Sequence, residues 1–389
     1  MKKIKKLFII LFAIGFASQV LAKDAPASFA DLAEKLMPSV VNISTTTTVV
    51  TNANPFPGFE FPPGSPFADM FKEFGTPQTR KSAALGSGFI IEESGIVITN
   101  NHVIQNAEDI VVRVDGDKEY KATVVGADPL SDIAVLQIDS KEKFTPVKFG
   151  NSDQARIGDW VIAIGNPFGL GGTVTAGIIS ARNRSIGLSR YEDYIQTEAS
   201  INSGNSGGPL FNLNGDVIGI NTAIIAPGQS GSIGIGFAIP ANAASNVINQ
   251  LIKFGETKRG WLGVRIQQVT KEIADVEKLK NTEGALVASV GEESPAKKAG
   301  LRAGDIILKF DGKKIDTMRA LPKLVSNTEV GKTVELEIWR NKKLNTKKLT
   351  LGRLESSDEF KAEEKKTKPG IKEKDTEIET LKITVRDIN

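Results

Sequence analysis

The residues that could do chemistry in this chain are few and grouped. The stretch Ile201-Asn202-Ser203-Gly204-Asn205-Ser206-Gly207-Gly208-Pro209-Leu210 sets Ser206 on a tight turn flanked by Gly204, Gly207 and Gly208. Glycines tolerate backbone angles that a Cβ forbids, so such a loop can turn its peptide N–H groups toward one point. Converging N–H groups would hold the oxyanion of an acyl transfer, which is usually the largest electrostatic term in that chemistry. The candidates are the N–H groups of Gly204 and Ser206, with Asn205 between them. A lone Gly-x-Ser-x-Gly is as readily a polar turn between strands. The longer string Gly-Asn-Ser-Gly-Gly-Pro-Leu is much rarer.

A serine hydroxyl is a weak nucleophile and needs a base. The chain has one histidine, His102, in Thr99-Asn100-Asn101-His102-Val103-Ile104, just after the apolar run Gly95-Ile96-Val97-Ile98. A single histidine is commonly a surface or satisfied core residue; a place at a strand end, with a candidate serine loop further on, sets this one apart. A third group must orient the imidazole and stabilise its cation. Asp132 fits, opening the apolar run Ile133-Ala134-Val135-Leu136, where an unpaired carboxylate would be costly. Asp128 is the alternative, but it precedes Pro129 in a turn. The chain order His, Asp, Ser is that of chymotrypsin-type enzymes, not of subtilisins or α/β-hydrolases.

The strings T-N-N-H-V, D-P-L-S-D-I-A-V-L and G-N-S-G-G-P-L, in that order and followed by a PDZ-like segment, resemble the HtrA (Do-like, DegP-like) serine endoproteases. The resemblance covers roughly residues 28–352. It implies a mostly β chain: a chymotrypsin-like double β-barrel protease domain followed by a PDZ domain. It further implies ATP-independent cleavage of unfolded or damaged exported proteins in the periplasm of a Gram-negative bacterium. Catalysis would use His102, Asp132 and Ser206, with an oxyanion hole from the backbone of Gly204, Asn205 and Ser206. The assembly would be a homotrimer or a multiple of trimers, and no cofactor is expected. The alternative is a quality-control chaperone or PDZ scaffold with a silent protease. A scaffold has no reason to carry all three catalytic residues at these loop ends.

The elements that must position these residues are legible along the chain. At 389 residues two or three domains are expected. Lys2, Lys3, Lys5 and Lys6, the apolar run from Leu7 to Phe16 and Val20-Leu21-Ala22 read as a signal peptide over 1–22. The formal net charge of +3 is near neutral for this size and gives no argument for nucleic acid. The chain has no cysteine, so it needs no disulfide to fold, and thiolate chemistry and thiolate metal sites are excluded. With one histidine, no metal site is expected.

The protease domain is expected over 23–255. Ser28 to Pro38 reads as a helix, and Val40 to Val50 as a strand. Residues 51–81, with interleaved prolines and phenylalanines, break the pattern and read as a long protruding loop with its own apolar contacts. By resemblance it would reach a neighbouring active site; its alternative use is peripheral contact with lipid or chaperone. From Leu85 to Gln250 short strands alternate with glycine-rich turns, the pattern of two six-stranded barrels. Ala241 to Phe254 reads as a closing helix.

Ala199, Ser200 and Ile201 would wall the primary pocket. None is acidic, so cleavage after Lys or Arg is not expected. Thr222, Ala223, Ile224, Ile225 and Ala226 would supply the other wall. With Ile201 they make a small apolar site, unless these isoleucines are simply core. The resemblance implies cleavage after small aliphatic residues. It also marks 166–172, the segment 182–191 with Arg184, and 226–232 as regulatory loops.

A PDZ domain is expected over 258–352. Leu262, Gly263 and Val264 would form a carboxylate-binding loop, since successive N–H groups can cradle a chain terminus while a strand edge pairs with extended peptide. Unfolded polypeptides and protein C-termini are thus the expected partners. Residues 353–380 read as a charged linker, and 381–389 as the possible start of a second PDZ domain.

Overall fold

The computed structural model describes residues 26–51, 78–114, 118–166, 172–186, 193–202, 204–224, 232, 234–358, 360–361, 375–378 and 383–386. The expected signal peptide, most of the Pro- and Phe-rich loop and parts of the three regulatory loops lie outside these residues.

Helix α1 (Ala30–Leu36) leads through a single 3₁₀ turn into the first barrel. Its strands are β1 (Val40–Thr51), β2 (Gln78–Ile90), β3 (Ile96–Thr99), β4 (Asp109–Val114), β5 (Lys118–Asp128) and β6 (Ile133–Ile138). They close in the order β1-β2-β3-β6-β5-β4. The β-branched runs Ile96-Val97-Ile98-Thr99 and Ile133-Ala134-Val135 are wholly buried, as central strands must be. The expected 51–81 loop is shorter than the sequence suggested. β1 runs through Thr51 and β2 begins at Gln78, with Thr51 opposite Gln78 at the end of a long hairpin register. The polar start of β2 carries no apolar alternation of its own and is a strand because β1 pairs with it.

The second barrel holds β7 (Trp160–Gly165), β8 (Thr173–Arg184), β9 (Tyr194–Thr197), β10 (Pro209–Phe211), β11 (Val217–Ile224) and β12 (Gly236–Pro240). Its order, β7-β8-β9-β12-β11-β10, repeats that of the first barrel strand for strand. Val161, Ala163, Ile179, Ile195, Leu210, Ile218 and Ala238 form its core. Helix α2 (Asn101–Ile104) follows β3, and α3 (Ala241–Phe254) follows β12.

The chain divides into two compact units, and residues 124–135 and 185–193 group with the C-terminal one. There, β13 (Gly260–Trp261) pairs with β20 (Gly352–Arg353), bringing the ends of the domain together. The main sheet runs β14-β15-β16-β18-β19, from β14 (Val264–Gln268), β15 (Ala285–Val290), β16 (Ile306–Phe310), β18 (Thr333–Arg340) and β19 (Lys343–Thr350), with β17 (Lys313–Lys314) beside β16. Leu262, Val287, Phe310, Leu336 and Ile338 fill its core, together with Leu321 and Val325 of α6 (Ala320–Ser326). Helix α4 (Lys271–Glu277) starts where Thr270 Oγ1 accepts from the Ile273 N–H and stops at Lys278, whose φ of 58° lies in the left-handed region. Helix α5 (Pro295–Lys298) has Ser294 as cap and proline in its first turn. In the tail, β21 (Asp375–Ile378) pairs with β22 (Ile383–Arg386), so part of the expected linker is a strand.

Candidate active site

Three loops carry the candidate catalytic residues. His102 sits on α2, directly after β3. The helix is pinned by Thr45 of β1, whose Oγ1 donates to the Val103 C=O at 3.4 Å, and by the Glu108 N–H, which donates to the Thr46 C=O at 2.9 Å. Asp132 immediately precedes β6, the neighbour of β3 in the barrel. Its φ of 56° is a left-handed conformation that Asp and Asn adopt more readily than other side-chain-bearing residues.

Ser206 lies on the turn before β10. Gly204 (φ 106°) and Gly207 (φ 84°) both use angles open chiefly to glycine. A Cβ at Gly207 would also collide with Ser87 O and Thr99 Oγ1 and come within 3.1 Å of Asn100 N, so the serine turn lies against the end of β3. The Asn205 N–H donates to the Asn202 C=O at 3.0 Å and the Gly207 N–H to the Asn221 C=O at 2.8 Å. Among the described residues, the Gly204 and Ser206 N–H groups donate to nothing. Two unspent donors thus flank one that is engaged within the loop, which leaves Asn205 out of the donor pair.

Sequence reasoning missed the segment Gly86-Ser87-Gly88 of β2. A Cβ at Gly86 would meet Val103 Cγ1 at 2.6 Å, and one at Gly88 would meet Ile98 O at 2.8 Å. Both glycines therefore admit the end of β3 and the helix that carries His102. The available signal was a polar residue between two glycines inside an apolar strand, which marks a close backbone approach.

Asp128, the alternative acid, is fully committed. Arg259 grips it from both nitrogens: Nη1 donates to Oδ1 at 2.9 Å and Nη2 to Oδ2. Thr257 Oγ1 donates to Oδ1 at 3.2 Å, and the Ser131 N–H and hydroxyl donate to Oδ2, the former at 3.1 Å. Arg259 also pairs with Glu355. Burial alone would push the Asp128 carboxyl up. The hydrogen bond and charge of Arg259, helped by Ser131, outweigh it and hold the group below the ordinary carboxylate range. The Asp128–Ser131 turn fixes the chain one residue before Asp132.

Truncating Arg259 would strand this buried carboxylate, so Arg259→Leu is expected to destabilise the protein by about 3–5 kcal/mol. A carboxyl held low in the folded state contributes stability that is fully present above the unfolded value of about 3.9. That contribution is lost as pH falls through the lower folded value. The gap between wild type and Arg259→Leu should therefore narrow on acidification below about pH 4. Denaturant titrations across pH check this, and equal midpoints at neutral pH would contradict it.

In the expected pocket, Ala199 and Ile201 are buried and apolar, and Ile201 belongs to the core of the second barrel at 1% exposure. A Cβ at Gly236 would meet Ile201 Cγ1 at 2.6 Å, so that glycine makes room for it. Thr222 is buried at a register shift between β11 and β12, where Asn221 faces Ala238 and Ala223 faces Phe237. Such bulges re-aim side chains beside active sites. Ala223 and Ile224 continue β11, and Ile225 and Ala226 lie outside the described residues. Arg184 is the exposed last residue of β8, opposite Tyr194, so it belongs to a strand end and not to a free loop.

In the C-terminal unit Gly263 has φ 78°, and a Cβ there would strike Ser294 and lie 2.9 Å from Trp261. The Leu262 and Gly263 carbonyls accept from Ala296 and Gly291, each at 2.9 Å, while their N–H groups donate to nothing among the described residues. Val264 opens β14, an end strand of its sheet.

Residues 86–220 match the trypsin-like peptidase domain family and residues 260–351 the PDZ domain family. The chain is 45% identical over 352 residues to a protein of Brucella suis biovar 1 named "Probable periplasmic serine endoprotease DegP-like", covering 84% of this chain and 68% of that one. It is 42% identical over 372 residues to a protein of the same name from Pseudomonas fulva, covering 92% and 77%. Among solved structures it is similar to the HtrA-type protease AlgW with decapeptide (TM-score 0.70, 39% identity, 84% of this chain and 99% of that one). It is also similar to the serine endoprotease from Yersinia pestis (TM-score 0.60, 32% identity, 85% and 100%).

Proposed function

The chain belongs to the HtrA (DegP-like) family of serine endoproteases, and on that premise we propose that Ser206 is its nucleophile, His102 its general base and Asp132 the group that orients the histidine. The chain is a periplasmic serine endopeptidase with a trypsin-like domain and a PDZ domain that binds peptide. The observation that carries the site assignment is the turn at Ser206, with unspent N–H donors on either side of an engaged one.

On this reading His102 takes the Ser206 proton as Oγ attacks the scissile carbonyl. The oxyanion that forms accepts from the Gly204 and Ser206 N–H groups. His102 then returns the proton to the leaving amine, and water hydrolyses the acyl-enzyme by the same route. The Leu262 and Gly263 N–H groups capture a peptide C-terminal carboxylate, and the β14 edge pairs with the residues before it. The assembly is a homotrimer or a multiple of trimers, as the resemblance implies. Among the described residues no helix is long and apolar enough to cross a membrane.

Specificity is read from the resemblance, which implies cleavage after small aliphatic residues, and from the lack of an acidic residue at Ala199, Ser200 and Ile201. Digestion of an unfolded model protein, with the termini mapped by mass spectrometry, is expected to place most cuts after Ala, Val and Ile. Cuts concentrated after Lys or Arg would contradict the pocket assignment.

A further inference from the structure

We propose that the Ser87 hydroxyl is a positioning group for the oxyanion site: it holds the Gly204 carbonyl and through it the Gly204 Cα, so that the N–H on the other side of that Cα stays aimed at the reacting carbonyl. The inference rests on the reading of Ser206 as nucleophile and extends it to a residue in the other barrel.

Ser87 is wholly buried in β2, and each of its polar atoms is spent on a segment of the site. Its N–H donates to the Ser206 C=O at 2.9 Å. Its C=O accepts from Thr99 Oγ1 at 2.7 Å, three residues before His102. Its hydroxyl donates to the Gly204 C=O and accepts from the Asn166 N–H at 2.8 Å, just past the end of β7. Asn166 is tied back in turn, because its C=O accepts from Asn42 Nδ2 of β1 at 2.8 Å.

The backbone bonds of Ser87 would survive in any residue. Among the described residues, only the hydroxyl holds the Gly204 carbonyl. A peptide unit is planar and trans, so a carbonyl held toward β2 sends the following N–H, that of Asn205, the opposite way, to the Asn202 C=O. Gly204, at φ 106°, has no Cβ to restrict it. Without the hydroxyl, the Gly204–Asn205 peptide loses one of the two bonds that hold it among the described residues, so the Gly204 Cα is less firmly placed and the Gly204 N–H, which lies on the other side of that Cα, can turn off target about an unrestricted φ. A serine is also costly in a buried strand unless its hydroxyl is satisfied, and here both partners are backbone groups of the site.

The test compares wild type, Ser87→Ala, Ser87→Thr and Ser206→Ala on a short peptide reporter, with active-site titration to count competent enzyme. Ser87→Ala is expected to lower kcat about ten- to a hundredfold, short of the hundred- to thousandfold for losing an oxyanion donor outright. KM should stay within about twofold, since the interaction serves the transition state and not the ground state. Affinity for a peptide boronate, whose tetrahedral adduct occupies the oxyanion site, should fall in parallel. Affinity for the same peptide as a plain amide should not. Ser87→Thr retains the hydroxyl and should recover most of kcat. Wild-type kcat per titrated site in Ser87→Ala, or equal weakening of boronate and amide, would overturn the proposal and leave Ser87 a packing residue. Turnover retained by Ser206→Ala would overturn the nucleophile assignment instead, so the two failures are told apart.

Discussion

Ser206→Ala is expected to lower kcat by about 10⁶-fold, the loss seen when the nucleophile of a serine protease is removed. The expectation is sharp because the substitution removes one oxygen and little else. The turn is held by backbone bonds, from Ser87 N–H to the Ser206 C=O and from Gly207 N–H to the Asn221 C=O, and by the angles of Gly204 and Gly207. None of these needs the hydroxyl. Thermal stability should stay within about 1 kcal/mol of wild type, and peptide binding by the PDZ domain should be unchanged. Single-turnover and steady-state assays on an unfolded protein check this; turnover within about tenfold of wild type would remove Ser206 from the chemistry.

Asp132→Asn is expected to lower kcat by about 10⁴-fold while leaving the structure intact. A carboxylate accepts from the imidazole and stabilises its cation; an amide can present a donor instead and favours the wrong tautomer. The backbone at Asp132 sits at φ 56°, a conformation that Asn adopts as readily as Asp, so the exchange adds no strain. Its turn is fixed by the Asp128–Ser131 and Asp128–Arg259 bonds, which the substitution does not touch. Asp128→Asn would instead weaken a buried ion pair and lower stability. The two variants thus separate orientation of the base from support of its loop. A variant at Asp132 with wild-type kcat, or one that loses activity only by unfolding, would contradict the role.

The candidate chemistry of this chain is legible because it is written locally. One histidine in the whole chain removes the choice of base, and the Gly-Asn-Ser-Gly-Gly-Pro turn carries its own backbone geometry. The apolar runs rich in β-branched residues at 95–98 and 133–136 are legible, and they fall in the buried strands Ile96–Thr99 and Ile133–Ile138. Interactions between distant segments were not legible. Asp128 and Arg259 are 131 residues apart; Asp128 reads as a turn residue or the alternative acid, and nothing local ties it to Arg259 at the start of the PDZ domain. Ser87 and Gly204 are 117 apart, and the role of the hydroxyl depends on a pairing that no local pattern encodes. The short strands β9 and β10 carry too few residues to show alternation. Ile201 could be read as pocket wall or as core, and its burial places it in the core of the second barrel, beside the turn it precedes.

The central claim, that Ser206 is a nucleophile activated by His102, is tested most directly by covalent labelling. The full chain is treated with a fluorophosphonate probe at neutral pH, digested and mapped by mass spectrometry. One adduct per chain is expected, on the peptide containing Ser206. It should be absent from Ser206→Ala and formed orders of magnitude more slowly in His102→Ala. An adduct on another residue, or proteolysis by a chain that takes no label at Ser206, would contradict the account.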